Sequence, residues 1–143
     1  MDYTWLIFAI LSAFTAALVA IFGKMGLQGM DTTTATTVRA IIMAAFLFGI
    51  IVVEGKLNLI GKIVSNSEAL KFIALSGVAG ALSWLFYFLA LKAGKASQVM
   101  PIDRLSVVFG LVLAALVLGE RVSLQIAAGA VLMVVGAILV ALG

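Results

Sequence analysis

Long apolar runs restrict the folds that this chain can adopt more than any other feature of its sequence. A helix that crosses a membrane needs roughly 20 mostly apolar residues. Five segments meet that requirement, namely residues 3–22, 33–53, 70–91, 96–118 and 123–142. Hydrophobic residues make up 65% of the chain and charged residues 10%, whereas soluble domains average about 45–50% and about 25%. The pattern predicts an all-α integral membrane protein with five transmembrane helices.

The residue types that are missing exclude several functions. The chain has no cysteine and no histidine, which removes disulfides, thiolate metal sites and the commonest general base and metal ligand. The basic residues are scattered singly, whereas phosphate binding uses clusters of them. We therefore expect a protein that is not an enzyme, with no metal site, no cofactor and no nucleic-acid partner.

The first apolar segment, residues 3–22, has two interpretations. A secretory signal peptide would begin with a basic region and end at a cleavage site before a polar mature chain. This segment instead follows Asp2 and leads into further apolar segments. We interpret it as a retained helix with Tyr3 and Trp5 at the membrane interface. No later linker is long enough to separate a soluble domain, so residues 1–143 are predicted to form one domain.

The connections between the segments contain residues typical of helix ends. Thr32–Thr34 are predicted to cap the second span, because hydroxyl oxygens accept hydrogen bonds from the free amides of a helix start. Ser65 and Glu68 have the spacing of a capping box before the third span. Gly94 and Gly119 suit the left-handed position that ends many helices. Such short connections predict antiparallel neighbouring helices.

The basic residues of the loops do not indicate one membrane orientation. Cytoplasmic loops normally carry an excess of Lys and Arg. The N-terminal side has four such residues, the opposite side has three, and two more lie a few residues inside the spans from that opposite side. The four on the N-terminal side are Lys56, Lys62, Lys71 and Arg121. The three on the opposite side are Lys24, Lys92 and Lys95, and the two inside the spans are Arg39 and Arg104. Either the chain inserts in both orientations, or the first helix and the placement of charges in each loop fix one orientation.

Polar and aromatic residues of three spans are predicted to lie at one depth. At a rise of about 1.5 Å per residue, this layer lies roughly 10 Å below the surface opposite the N-terminus. It comprises Arg39, Trp84, Tyr87, Asp103 and Arg104. Charges in the hydrocarbon cost about 2.5–3.5 kcal/mol each, so they usually face the protein interior and find partners. The layer is the predicted substrate-binding site.

The charged members of this layer leave alternatives open. Asp103 is the only carboxylate within the predicted spans, so it is the natural counter-ion of Arg39. It is predicted to serve a substrate or proton pathway, and a structural lock between helices is the alternative. Adjacent residues on a helix point about 100° apart, so Asp103 and Arg104 do not pair face to face. Both arginines have stems long enough to snorkel to the interface instead.

The aromatic residues of the third span divide into two pairs. Trp84 and Tyr87 are three residues apart and share one helix face, which favours cavity lining over a place in an interfacial belt. Phe86 and Phe88 are instead predicted to belong to such an aromatic belt.

Pro101 lies two residues before Asp103 and has two interpretations. In a first helical turn a proline is harmless, because the amide that it lacks would have no partner there. If the helix begins at Ala96, the proline instead loosens a turn beside the polar layer, as in transporters whose helices are broken at their binding sites.

Several motifs resemble one family of membrane proteins. They are Ala96-x-x-x-x-Pro101-Ile102, then Leu118-Gly119-Glu120 after a long apolar helix, the pair Gly129 and Gly136, and FGKMGLQGMDTTTATTVRA at residues 22–40. Nearly the whole chain is similar to single-domain members of the EamA family in the drug/metabolite transporter superfamily.

That resemblance implies half of a ten-helix inverted-repeat fold. Larger members carry two five-helix copies, the second inverted because five is odd, so a single copy implies an antiparallel homodimer. The resemblance further implies a secondary transporter, working as an exporter, that moves a small organic solute by alternating access across the cytoplasmic (inner) membrane. Its partners would be that solute, membrane lipid and a second copy of the chain. In this role the polar layer binds substrate, and Asp103 exchanges protons.

Two other functions stay open. A small multidrug-resistance-like exporter of lipophilic cations would use a glutamate in its first helix, and the first span here has no acid. A non-transporting membrane scaffold or partner subunit would use the buried charges only for assembly.

Overall fold

The computed structural model describes residues 3–143, and within that range the chain forms seven α-helices and no strand. The helices are α1 (Thr4–Gly26), α2 (Thr32–Val53), α3 (Leu57–Ser65), α4 (Ser67–Ala93), α5 (Ala96–Asp103), α6 (Ser106–Val117) and α7 (Leu124–Leu142). Helices α1, α2, α4 and α7 are each long and apolar enough to cross a membrane, and α5 with α6 forms the remaining span. The prediction of an all-α protein with five spans is confirmed, with boundaries shifted by about one turn or less.

Most apolar side chains of the spans are exposed, as expected for surfaces that face lipid. Phe46 is 70% exposed and Leu132 is 72% exposed. The buried apolar residues are few; they are Ala20, Leu27, Phe88, Leu91 and Ala137. Because lipid tails are as apolar as these side chains, helix association in a membrane depends on packing and polar contacts rather than on hydrophobic burial. Polar groups that face the protein interior therefore show best which helix contacts hold the fold together.

The chain forms two compact units. The central unit is Gly26–Leu89, and the terminal unit joins the N-terminal residues up to Met25 with Ala90–Gly143. Within the terminal unit, α5 and α6 pack against α7.

The start of α2 differs from the prediction, because Asp31 rather than Thr32–Thr34 caps this helix. Asp31 has an extended backbone, and its carboxylate accepts hydrogen bonds from the Thr34 amide at 2.8 Å and from the Thr34 hydroxyl at 2.7 Å. Capping requires a residue that lies just outside the helix. The threonines are already helical and cannot fill that position.

The connection at residues 54–68, predicted as a loop, contains the short helix α3. Ser65 is the last residue of α3, and its hydroxyl donates to the Gly61 carbonyl oxygen at 2.8 Å. The predicted capping box is therefore wrong. Asn66 caps α4 instead, since its side-chain oxygen accepts a hydrogen bond from the Ala69 amide at 3.1 Å.

The two glycines predicted to end helices behave differently. Gly119 has φ +68 after α6, as predicted, whereas Gly94 is not among the glycines with positive φ. A Cβ atom on Gly94 would lie 3.1 Å from Val99 Cγ2 and 3.3 Å from the Ala90 carbonyl oxygen. Gly94 is thus suited to close approach of the chain between α4 and α5 rather than to a left-handed turn.

The fourth span is broken just after Pro101. Helix α5 begins at Ala96, so Pro101 is its sixth residue and lies beyond the first turn. The helix stops after Asp103 and resumes at Ser106. At the break, the Leu105 amide donates to the Ile102 carbonyl oxygen at 3.0 Å, which is the tighter bonding of a 3₁₀ turn. A proline inside a helix removes one amide donor and clashes with the preceding turn.

Candidate functional site

A cation and a tryptophan ring meet inside the central unit. The guanidinium carbon of Arg39, on α2, lies 3.7 Å from the centroid of the Trp84 ring, on α4. It also lies 5.1 Å from the centroid of the Phe88 ring. Both distances are within the range in which an aromatic ring attracts a cation. Arg39 is thus held against ring faces by cation–π contacts.

Three aromatic rings of α4 form the platform under Arg39. The Trp84 and Phe88 centroids lie 5.6 Å apart in a stacked arrangement, and Tyr87 meets both rings edge-on at 5.7 and 5.8 Å. Residues three and four apart on a helix are surface neighbours, which is why 84, 87 and 88 converge. We name Arg39 with these three rings the Arg39 cluster.

Phe88 corrects one prediction about these aromatic residues. It was predicted to join Phe86 in an interfacial belt, but it is 2% exposed and lies in the Arg39 cluster. Phe86 is 64% exposed, as a belt residue should be. The difference follows from helix geometry, because Phe88 is one turn from Trp84 and Phe86 points to another side.

The inward face of α2 is polar along its first two turns. Thr32, Ala35, Thr36 and Arg39 follow the spacing of one helix face and are the least exposed residues of this stretch. The Thr36 hydroxyl donates to the Thr32 carbonyl oxygen at 2.7 Å. The Thr32 side-chain oxygen is buried without a hydrogen-bond partner among the described residues. We name this face the α2 polar stripe.

Arg39 lacks a carboxylate partner within its own unit, as far as residues 26–89 are concerned. Asp31 accepts hydrogen bonds from Thr34 at the start of α2. Glu54 pairs with Lys56 at 2.7 Å. Glu68 lies in the first turn of α4, near the end opposite Trp84. The aromatic rings are therefore the contacts that the central unit gives to this half-buried charge.

Asp103 and Arg104 lie in the terminal unit. Asp103 is the last residue of α5 and is half-buried, while Arg104 is exposed at the break before α6. The structure thus brings Arg39, Trp84 and Tyr87 together in one unit. The shared layer that would join them to Asp103 and Arg104 stays a prediction.

Two side chains of the terminal unit bond the free carbonyl groups of helix ends, and sequence reasoning missed both. The Lys24 ammonium donates to the carbonyl oxygens of Leu91 and Gly94, the latter at 2.7 Å. The side-chain amide of Gln98 donates to the Ala141 carbonyl oxygen at 3.0 Å. The last carbonyl groups of a helix lack partners within the helix and favour a nearby cation. The first span was predicted to end at Phe22, which left Lys24 in a loop.

Comparison with known proteins identifies the kind of protein that carries this site. Residues 3–142 match the EamA-like transporter family. The chain belongs to this family. A Sinorhizobium sp protein named "Uncharacterized transporter in cobO 3'region" is 36% identical over 141 residues, which cover 99% of each chain. No solved structure matches this EamA-like chain.

Membership of the EamA-like family confirms the resemblance read from the sequence. The protein is a multi-pass membrane transporter, and one EamA-like domain is half of the drug/metabolite transporter fold. The family and the name of the relative point to a transporter rather than an enzyme.

Proposed function

We propose that this transporter exports a small organic solute across the cytoplasmic (inner) membrane by alternating access, as an antiparallel homodimer. The Arg39 cluster is the observation that carries the proposal. Intramembrane charges are costly and commonly mark substrate or ion pathways. A half-buried arginine on half-buried Trp84, with half-buried Tyr87 edge-on to that ring, offers a solute both charge and ring surface.

The break in the fourth span supports a transport role for Asp103. Interrupted helices expose backbone groups and polar side chains at the binding sites of several transporter folds. Here the break follows Asp103 directly, so a carboxylate lies at an irregular point of an apolar span. We assign it substrate contact and proton exchange, with Arg104 beside it as a further substrate contact.

The homodimer is supported by surfaces that the single chain leaves open. A Cβ atom added at Gly77, Gly80, Gly129 or Gly136 would meet nothing within 4 Å among the described residues. Small residues let helices approach closely in membranes. A second copy would complete the ten helices of the fold, and an inverted copy agrees with the balanced basic residues of the loops.

Exchange of Asp103 for asparagine tests the transport role. We expect Asp103→Asn to reduce proton-coupled solute flux in proteoliposomes by about tenfold or more, because the amide cannot take up and release a proton. Glu68→Gln is the matched control and should transport normally. Undiminished flux and proton exchange in the Asp103→Asn protein would overturn the coupling role. If the parent protein and the Asp103→Asn protein both assemble but neither transports a solute, the result favours the scaffold function.

Single cysteines test the antiparallel arrangement, because the natural chain has none. Asn58→Cys and Ser65→Cys place thiols on α3. Both should react with a membrane-impermeant maleimide from each side of the membrane, each side labelling about half of the protein. Labelling from one side alone would contradict insertion in both orientations.

A further inference from the structure

We propose that the Arg39 cluster selects organic anions: solutes with a carboxylate group and an apolar body that packs on aromatic rings. This inference rests on the proposed function for the transport of such a solute. Binding itself can be measured without any flux, so the two proposals can fail separately.

The first argument is the unused hydrogen-bonding capacity of Arg39. Contact at 3.7 Å places the guanidinium carbon against the Trp84 ring, which satisfies the cation but not its N–H donors. Those donors have no hydrogen-bond partner among the described residues of the central unit, and no carboxylate of that unit pairs with Arg39. A guanidinium offers five donors in a fork that fits a carboxylate at two points. A carboxylate therefore fits the open donors of Arg39, whether it belongs to a solute or is that of Asp103.

The second argument concerns the sign of the charge that the cluster accepts. A positively charged ligand at this point would repel Arg39 in a region of low dielectric constant. A neutral ligand would add no counter-charge to Arg39. An anion gains the charge-assisted hydrogen bonds and also removes the unpaired cation from the apolar span. The charge of Arg39 thus favours anions over cations in the Arg39 cluster.

The third argument concerns the apolar body of the ligand. Trp84 and Tyr87 are half-buried, so part of each ring is accessible, whereas Phe88 is fully buried behind them. Edge-to-face and stacked contacts fix the orientation of all three rings. A carboxylate bonded to Arg39 would place an attached ring or branched chain beside these rings.

The α2 polar stripe independently favours a polar ligand. The buried Thr32 hydroxyl lacks a partner among the described residues, and unsatisfied buried polar groups are rare in proteins. Thr32 is the first residue of α2 and lies on the same helix face as Arg39, about 10 Å nearer the N-terminal end of the helix. The face of α2 that carries Arg39 therefore also carries a buried hydroxyl with unused hydrogen-bonding capacity.

Fluorescence of Trp84 tests the inference directly. The chain has two tryptophans, so Trp5→Phe leaves Trp84 as the only one, in contact with Arg39. The purified Trp5→Phe protein in lipid nanodiscs is titrated with phenylacetate, phenylacetamide and phenethylamine, which share one ring and differ in charge. We expect phenylacetate to change the Trp84 emission and to bind at least about tenfold more tightly than the amide or the amine. Equal affinities, tighter binding of the amine, or no binding of phenylacetate would overturn the inference.

Substitutions of Arg39 provide the second arm of the test. Arg39→Gln should weaken phenylacetate binding about tenfold or more while changing phenylacetamide binding little, and Arg39→Lys should be intermediate because it keeps charge without the fork. Arg121→Gln, in the loop before α7, is the control and should bind like the parent protein. Unchanged phenylacetate affinity in a folded Arg39→Gln protein would overturn the inference. If Arg39→Gln does not fold, the comparison of the three ligands still decides.

Flux measurements separate this inference from the proposed function. Binding of phenylacetate without its counterflow in proteoliposomes supports the anion site and contradicts the transport proposal for this solute. Transport of some other solute by a protein that does not bind phenylacetate overturns the anion site and leaves the transporter function intact.

Discussion

The central and terminal units accommodate polar groups within apolar spans in two different ways. In the central unit, the Arg39 charge is held against the Trp84 and Phe88 rings, and its donors are left unused. In the terminal unit, Lys24 and Gln98 use their donors on the backbone carbonyl groups at helix ends. A polar side chain that completes the hydrogen bonds of the fold stabilises it. One that keeps free donors is available to a ligand.

Among the substitutions that test this difference between the two units, removal of the Trp84 ring should have the largest effect on stability. Trp84→Ala is expected to lower the free energy of unfolding by about 3 kcal/mol, because a large ring contact is lost and the Arg39 charge loses its main partner. The measurement is a denaturant titration in mixed micelles. Trp5→Ala is the control, since Trp5 is 67% exposed and should change stability little. Equal effects of the two substitutions would show that the ring does not stabilise the cation.

Removal of the Lys24 ammonium tests the terminal unit. Lys24→Met keeps an unbranched side chain but leaves the Leu91 and Gly94 carbonyl groups without this donor, so we expect a loss of about 2 kcal/mol. Lys62→Met, on exposed α3, should change stability by less than about 0.5 kcal/mol. Phenylacetate affinity should stay unchanged in the Lys24→Met protein. A drop in that affinity with unchanged stability would reverse the roles assigned to the two units.

The smallest effect is expected at Thr32, and it has the opposite sign. Thr32→Val has nearly the same shape and removes a buried hydroxyl without a partner, so the ligand-free protein should become more stable by about 1 kcal/mol. Thr33→Val, at an exposed position one residue along, is the control. A loss of stability in the Thr32→Val protein would mean that the hydroxyl has a partner, such as bound water.

The five spans could be predicted from the sequence because each is a run of apolar residues of the required length. Helix α3 was missed because it is short and does not cross the membrane. Its signal was present: Leu57, Ile60 and Val64 fall on one helix face, and Asn58 and Ser65 on another. A search for apolar runs of 20 residues misses such a helix, although the helical spacing of its apolar residues can be detected in a shorter sequence window.

The Arg39 cluster could be predicted in part. Counting residues from the helix ends placed Arg39, Trp84 and Tyr87 at one depth, and in the structure Trp84 contacts both Arg39 and Tyr87. Depth does not show which face of a helix points inward, so Phe88 was assigned to the wrong side. Lys24 was missed for a related reason, because contact with the end of α4 depends on tertiary placement. Hydrogen bonds to carbonyl groups leave no pattern in the sequence.

The stacking of Arg39 on Trp84 also constrains how the protein is made. Trp84 lies 45 residues after Arg39 in the chain, so at a synthesis rate of about 5–20 residues per second the ribosome needs roughly 2–9 s to add it. During that interval the nascent α2 carries a charge whose ring partners do not yet exist. The long stem of Arg39 lets the charge stay near the headgroups meanwhile. The contact between Arg39 and its rings therefore forms only after α4 has emerged from the ribosome.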